Sequence, residues 1–365
     1  VSEPAIKLTT YFSERDHVGG AFVADALFDV YERHQTHASV LLRGIEGFGR
    51  RSRLTDRVLT LSEALPLAAV AVDRPERIER VLADVARVAQ HGVITLERAL
   101  LMRDGHRDRL PLERRPSRVL KLTVYGGRAI RSGGQAGYVE AIHLLRRCGA
   151  SAASVLLGID GTLHGERRRA RFFARNARVP LMLLAVGDDG AIGKALPGVW
   201  RLIDGAVATV EQVQICKSAG ERVSDPEAVE AQDPSGMPVW QKLMIHAEEQ
   251  AQYGKHPMYR ELIRRVHEAG GAGATVLRGV RGFYADHEPF FDRVLTLRRN
   301  VPVHVVIVDT PDRMRSLWPV VDELTSDSGI VTSELVPASH GIASVRESPR
   351  LALAQTPTAR PWPAT

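Results

Sequence analysis

The feature that most constrains this chain is that it says the same thing three times. Three stretches open alike: Lys7-Leu8-Thr9-Thr10-Tyr11, Lys121-Leu122-Thr123-Val124-Tyr125 and Lys242-Leu243-Met244-Ile245-His246. Each is followed by a second run: Ser39-Val40-Leu41-Leu42-Arg43-Gly44-Ile45-Glu46-Gly47-Phe48, Ala153-Ser154-Val155-Leu156-Leu157-Gly158-Ile159-Asp160-Gly161, and Ala274-Thr275-Val276-Leu277-Arg278-Gly279-Val280-Arg281-Gly282-Phe283. An apolar run comes next in each copy, at 65–73, 179–186 and 301–309, with a proline at its second position. Each copy then closes on a glycine and a β-rich run ending in glutamate: Gly92 to Glu97, Gly205 to Glu211, and Gly329 to Glu334. Landmarks recurring in one order mark tandem copies of one structural unit.

Between the landmarks the period turns helical. Ile78, Val81, Leu82 and Val85 in copy one are matched by Leu196, Val199, Trp200 and Ile203, and by Met314, Leu317, Trp318 and Val321. The spacing i, i+3, i+4, i+7 predicts a helix with one buried face, which assigns both tryptophans to the core. Pro75 and Pro311 suit the first helical position, where no N–H is needed. An earlier helix in each copy shows Phe22, Ala26 and Val30 on one face in copy one, and Tyr259, Leu262 and Val266 in copy three. Each copy thus reads strand–helix–strand–strand–helix–strand. The fold class expected is α+β: three tandem ferredoxin-like βαββαβ domains, each with two helices on one face of an antiparallel sheet. Domains are placed at 1–102, 118–216 and 239–337, with polar, turn-rich linkers at 103–117 and 217–238. The tail 338–365 has little apolar periodicity and is expected to be disordered.

Composition narrows the function classes. An apolar fraction of 44% with 25% charged residues is that of an ordinary globular protein. No apolar run approaches the roughly 20 residues of a membrane span, and the N-terminal residues lack a signal-peptide layout. A cytoplasmic location without membrane insertion is the expectation. Two cysteines, Cys148 and Cys216, make neither a disulfide framework nor a paired metal site and read as small packing residues. The net charge of +6 comes largely from arginine, at Arg50, Arg51 and Arg53 and again at Arg167, Arg168, Arg169 and Arg171. Such clusters suit phosphate or an acidic partner, or simply a solvated loop. Aromatic residues, at 5%, are not interleaved with them, so nucleic acid is not an expected partner.

The segment Gly44-Ile45-Glu46-Gly47-Phe48-Gly49-Arg50-Arg51, ahead of Leu65-Pro66, resembles the base of the long loop between the second and third strands of PII signal-transduction proteins. More closely, all three copies resemble the uncharacterised PII-like domain family DUF190. The shared marks are the Arg-Gly-(Ile/Val)-x-Gly-Phe run, the Leu-Pro strand ending in Asp, and the closing Gly-x-(Ile/Val)-Thr. Copies one and three carry the motif, while copy two keeps only the framework. PII proteins are homotrimers with small ligands in the clefts between neighbours. The resemblance therefore implies an intramolecular pseudo-trimer, a small anionic ligand such as an adenine nucleotide (ATP, ADP or AMP) at an inter-domain cleft, and signalling through the loops to a transporter or enzyme.

Carried onto this chain, the resemblance makes Gly47 and Gly49 a turn that lets backbone approach a phosphate, with Arg50 or Arg51 supplying charge. Phe48 would anchor the loop base. In copy three Gly282 and Phe283 remain, but Tyr284 replaces the second glycine; copy two has Gly161-Thr162-Leu163-His164 and lacks the function. Gly92 stands where PII proteins carry a glycine-rich phosphate loop, though one glycine also suits a helix C-cap, as do Gly205 and Gly329. Arg98 and Arg103 are candidates for the basic residues that follow. Arg43 and Arg278, at matching strand ends, either reach a ligand across an interface or pair with a carboxylate of the neighbouring copy. A single site is expected, where copy one's loop faces another domain.

Nothing in the sequence points to catalysis. The thirteen histidines show no His-Glu-x-x-His spacing, and His34 and His37 read as a solvated pair in a turn. Neither a Gly-x-Ser-x-Gly elbow nor a Walker loop occurs. Catalytic and metal-binding residues are therefore not expected. The leading reading is a non-enzymatic regulatory protein, the alternative a scaffold whose clefts are empty. A nucleotide hydrolase or transferase is the third.

Overall fold

Lys7 and its two counterparts lie in strands that are buried on both faces, which in an antiparallel sheet requires a partner layer on each side. The chain, examined as a computed structural model, is described over residues 2–49, 52–55, 65–102, 118–129, 134–170, 176–203, 205–284, 290–291, 301–327, 329–336, 338–340 and 353–354. The first repeat runs β1 (Glu3–Ser13), α1 (Val23–Arg33), β2 (Ala38–Gly49), β3 (Pro66–Asp73), α2 (Pro75–Val88) and β4 (Val93–Met102). The second runs β5 (Arg118–Gly126), α3 (Gly137–Arg147), β6 (Ala152–Leu157), β7 (Asp160–Leu163), β8 (Leu181–Gly187), α4 (Asp189–Leu202) and β9 (Val207–Ser218). The third runs β10 (Trp240–Glu248), α5 (Met258–Glu268), β11 (Ala274–Arg278), β12 (Arg281–Tyr284), β13 (Pro302–Asp309), α6 (Pro311–Leu324) and β14 (Ile330–Val336), followed by β15 (Ala338–His340).

Every repeat has the same antiparallel strand order, in which the first strand lies between the third and the last: β2-β3-β1-β4, β6-β8-β5-β9 and β11-β13-β10-β14. The helices cover one face of each sheet. The second-helix stripes are buried as the period predicts, and Pro75 and Pro311 open their helices. Trp318 is core, but Trp200 is only half-buried. The first helix corrects the sequence reading: α1 buries Val23, Leu27, Phe28, Val30 and Tyr31, while Phe22 precedes the helix and is 49% exposed. Val30 is in the core as expected, Ala26 lies half-buried at the border of the face, and Phe22 falls outside the helical period.

The opposite faces of the three sheets meet in one shared core, which draws Val40 and Val70, Leu156 and Leu184, and Leu277 and Val306 from successive repeats. Strand pairing closes the assembly. Leu100–Met102 pair with Ala208–Val210, Gln214–Ser218 with Ile330–Ser333, and Ala338–His340 with Ile94–Leu96, so the last strands run head to tail around a ring. The second strands form another ring: Gly44–Phe48 pair with β11, β12 with β6, and β7 with Ala38–Leu41. The third repeat thus returns to the first. Residues 338–340, expected to be disordered, are a strand because the upper edge of β4 offers backbone groups that need partners.

At the centre sits a closed circle of six buried charges. Lys7 contacts Glu97 and Glu211 at 2.6 Å each; Lys121 contacts Glu211 at 2.8 Å and also Glu334; Lys242 contacts Glu334 and Glu97 at 2.7 Å each. Each lysine faces its own repeat's glutamate across the sheet and reaches the glutamate of a neighbour. Burial opposes every charge. The surrounding ammonium groups outweigh it at Glu97 and Glu334 and hold both carboxyls below the usual range; the carboxylates hold Lys7 and Lys242 above theirs. At Lys121 burial is the stronger influence and lowers the ammonium, although two carboxylates touch it. We treat Lys121 as charged, because a neutral amine would leave both carboxylates short of a counter-ion.

Lys121→Met should lower stability by about 3–5 kcal/mol in urea unfolding, since it leaves Glu211 and Glu334 with one lysine each and the buried ring one positive charge short. Adding Glu211→Leu, which restores neutrality, should recover a substantial part of the loss. The depressed carboxyls also set the acid limit. Their contribution is complete above the unfolded carboxylate range, near pH 4–5, and is lost as pH falls through the lower folded values. Circular dichroism should therefore show unfolding beginning well below pH 4.

Candidate functional site

The glycine-phenylalanine run, read as a phosphate turn, is where one repeat crosses onto the next. Its first glycine packs against the repeat's own proline: a Cβ on Gly44 would lie 2.8 Å from Pro66 Cγ, and one on Gly279 2.8 Å from Pro302 Cγ. The second packs against the neighbour's backbone. A Cβ on Gly47 would come within 2.6 Å of the Ala274 carbonyl oxygen, and one on Gly282 within 2.5 Å of that of Ala153. Real Cβ atoms do not tolerate such approaches, so these positions admit only glycine for the strands to pair. Neither Gly47, Gly49, Gly92 nor Gly282 has a positive φ. Their backbone is extended or otherwise ordinary, not the left-handed turn expected for an anion cradle.

The phenylalanines complete the crossing. Phe48 is buried in the core of the third repeat, edge-on to His267 at 4.9 Å, and Phe283 is buried in the core of the second. Phe48 anchors the loop base as expected, but in a neighbour's core. Thr162, at the matching place in copy two, is buried between repeats, with its hydroxyl 2.8 Å from Ser39 Oγ and donating to the Thr36 carbonyl at 3.2 Å. The sequence signal for an assembly role was the tight spacing of two glycines around a strand-forming stretch.

The two strand-end arginines stay at home. Arg43 is paired with Glu14 at 2.7 Å, and Arg278 with Glu249, so each carboxylate comes from the arginine's own repeat. Both arginines are substantially exposed, so each pair is worth at most about 1 kcal/mol. Arg50, Arg51 and Arg103 lie outside the described residues. A Cβ on Gly92 would meet the Tyr11 carbonyl oxygen at 2.7 Å, so this glycine serves the close approach of β1. Arg98 donates through Nη2 to the Ala354 carbonyl at 2.9 Å.

The cavity that stands out lies elsewhere, between the first and second repeats. It has a volume of about 540 Å³ and is lined by Glu3, His37, Asp73, Arg74 and Arg77 of the first repeat and His164, Trp200 and Gly205 of the second, among others. That volume suits a small organic ligand. The His37 and His164 rings meet edge to face at 5.3 Å, and the His164 N–H donates to the His37 carbonyl at 2.8 Å. Burial lowers the His37 pKa against the pull of Asp73, whose carboxylate accepts from the His37 N–H at 2.9 Å. Arg74 pairs with Glu3 at 2.9 Å, and Arg77 donates to the Gln35 carbonyl at 3.0 Å. Helix α2 starts at this wall with no side-chain cap, whereas Asp188 and Thr310 cap α4 and α6 at the matching position. Two guanidinium groups face two carboxylates, Glu3 paired with Arg74 and Asp73 3.8 Å from Arg77, so the charges balance and the uncapped helix start adds the positive bias.

Copy two, read as framework only, therefore supplies one wall of this cleft. The reading missed it because the signal lies in single residues at strand and helix ends. His37, placed in a solvated pair, is instead half-buried against His164. The three ring glutamates also bring carboxylate oxygens within 4.8 Å of one another. Each is already met by two lysines, which leaves the cluster neutral without an ion.

Compared with known proteins, the chain matches the family DUF190, described as "Uncharacterized ACR, COG1993", over residues 5–101, 119–215 and 240–338. A "UPF0166 protein" of Aquifex aeolicus (strain VF5) is 29% identical over 93 residues, which are 25% of this chain and 86% of the relative. Among solved structures, aspartate kinase from Synechocystis overlaps 90% of this chain at 10% identity with a TM-score of 0.24. This chain spans 43% of that structure, and the likeness is too slight to carry an argument.

The crossing geometry separates two glycines that look alike in sequence. Gly47→Ala should destabilise by about 1–3 kcal/mol in urea unfolding, because the neighbouring strand must move. Gly49→Ala, whose Cβ would meet nothing within 4 Å, should change stability by less than about 0.5 kcal/mol.

Proposed function

Because the chain belongs to the uncharacterised DUF190 family, three times over, we propose that it is a PII-like regulatory protein that binds a small anionic ligand between repeats and is not an enzyme. The fold underlying it is a ferredoxin-like βαββαβ unit, repeated as an intramolecular pseudo-trimer. The shared strand order and the two closed rings of strand pairing within one chain support that description. The observation carrying the function is the cavity of about 540 Å³ at the first junction, with Arg74 and Arg77 on its wall. A phosphate or carboxylate there would meet guanidinium forks and an uncapped helix start, and a planar group could lie against Trp200 or the histidine pair. A ligand held by two repeats favours one relative placement of them, the means by which binding would reach the loops and a protein partner such as a transporter or enzyme. Among the described residues no helix is long and apolar enough to cross a membrane.

The scaffold reading also has a specific observation behind it, since the Gly-Phe motif serves repeat crossing. The two readings separate by thermal shift against ATP, ADP, AMP, phosphate and bicarbonate. At a hundred times its dissociation constant a ligand of the folded state stabilises by about 2.7 kcal/mol, a rise of several degrees in Tm. The regulatory reading expects such a rise with at least one compound and its loss in the Arg74→Ala, Arg77→Ala double variant. A flat response throughout would leave the scaffold, and turnover of a nucleotide by the pure protein would overturn the non-enzymatic assignment.

A further inference from the structure

The central charges hold three repeats together but cannot tell them apart. Every repeat supplies the same lysine and the same glutamate, so three first repeats taken from three chains would satisfy the ring equally well. What differs between junctions is the residue that each crossing strand carries into its neighbour and the corner that receives it. The corner is built alike each time. The ninth residue of the first helix accepts a backbone hydrogen bond from the residue five places on: Tyr31 from Thr36 at 2.9 Å, Leu145 from Ala150 at 3.0 Å and Val266 from Gly271 at 2.9 Å. The side chains are not alike. Tyr31 and Thr36 fill their corner, Leu145 and Ala150 leave more room, and Val266 and Gly271 leave the most. The incoming residues run the other way. Thr162 of the second repeat enters beside Thr36, donating to its carbonyl at 3.2 Å. Phe283 packs in the core that holds Leu145 and Ala150, and a Cβ on Gly271 would lie 3.5 Å from Phe48 Cζ. A phenylalanine would overfill the Tyr31 corner, and Thr162 would leave a void in either of the others.

Size alone does not separate Phe48 from Phe283, but charge does. Glu46, with a side chain only 6% exposed, lies 3.6 Å from Arg260 of α5, and Arg281 Nη2 donates to His143 Nε2 of α3 at 2.9 Å. Arg260 and Val139 are the third residues of α5 and α3, and Arg264 and His143 the seventh. With the two strands exchanged, Glu46 would face Val139 in place of Arg260. Arg281 would face Arg264, which carries its own charge and has no acceptor for its hydrogen bond. We propose that incoming residue and corner form a pairing code that admits only an unlike repeat: the first repeat's strand on the third, the third's on the second and the second's on the first. The code keeps like repeats of separate chains from docking on one another. Without it the shared strand order and crossing glycines would let chains exchange repeats, since each junction offers the same backbone edges. It holds whether or not the first junction binds an anion.

The test rebuilds the first repeat's corner as the third's. Tyr31→Val with Thr36→Gly makes room for Phe48 or Phe283 of another chain where Thr162 then leaves a void. The wild type should sediment as one species of 40.1 kDa. The double variant should melt roughly 4–10 °C lower and associate as its concentration rises. Adding Thr162→Phe fills the corner from within the chain and should restore both the monomer and most of the lost Tm. Val81→Ala, which opens a void under α2 away from the crossings, is the control and should melt lower yet stay monomeric. A double variant that stays monomeric, or a Val81→Ala chain that associates to the same extent, would overturn the code. If the double variant fails to fold, the rescue carries the test. Thr162→Phe alone should melt roughly 3–8 °C lower by overfilling its corner, and the triple variant should melt close to the wild type. A triple variant no more stable than Thr162→Phe alone would also overturn the code.

Discussion

Six buried charges decide how this protein can be put together. An ammonium or carboxylate taken out of water costs several kcal/mol unless a counter-charge is in contact with it. Here each repeat supplies one counter-charge of its own, and the second partner of every lysine and glutamate comes from a neighbouring repeat. An open chain of three domains would expose the ring to water and forfeit the contacts between repeats; a slipped arrangement would leave each buried charge with only its own repeat's partner. The ring therefore acts less as a source of net stability than as a discriminator against other arrangements. The cross-strand register Lys7 with Glu97, Lys121 with Glu211 and Lys242 with Glu334 places all six side chains at one level.

Around that symmetric centre the repeats have been free to diverge. The crossing glycines are kept in all three, since each sits where backbone meets backbone or proline. The positions that open each second helix are not kept: Arg74, Asp188 and Thr310 stand at one place in the fold. The junction walls consequently differ in charge and capping. One cleft combines guanidinium groups, an uncapped helix and a histidine pair, while the helices at the matching places are closed by their own side chains. A chain that carries its three units covalently can specialise one junction in this way, which three identical chains cannot do.

The repeat, the alternation of strands and helices, and the buried stripes of the second helices were legible because they depend on local periodicity. Ile78, Val81, Leu82 and Val85 are buried as their spacing requires. The first helix was misread at Phe22 because that residue is still extended and precedes the helix, so the 3.6-residue period does not apply to it. The ring residues were visible too, as the lysine that opens each repeat and the glutamate that closes it. Nothing local shows that a lysine in the middle of an apolar strand points at two other repeats.

The sequence by itself determined that there are three units, what each is made of, and that the glycines around Phe48 and Phe283 are special. Only the tertiary structure decided what they are special for. A glycine that permits a positive φ and one that lets another strand approach are the same letter, and Gly47 proves to be the second kind. Likewise His37, Arg77 and His164 are far apart along the chain and meet only because β7 of the second repeat pairs with β2 of the first. Contacts of that kind depend on register between distant strands, and a single sequence records the strands but not which of them will be neighbours.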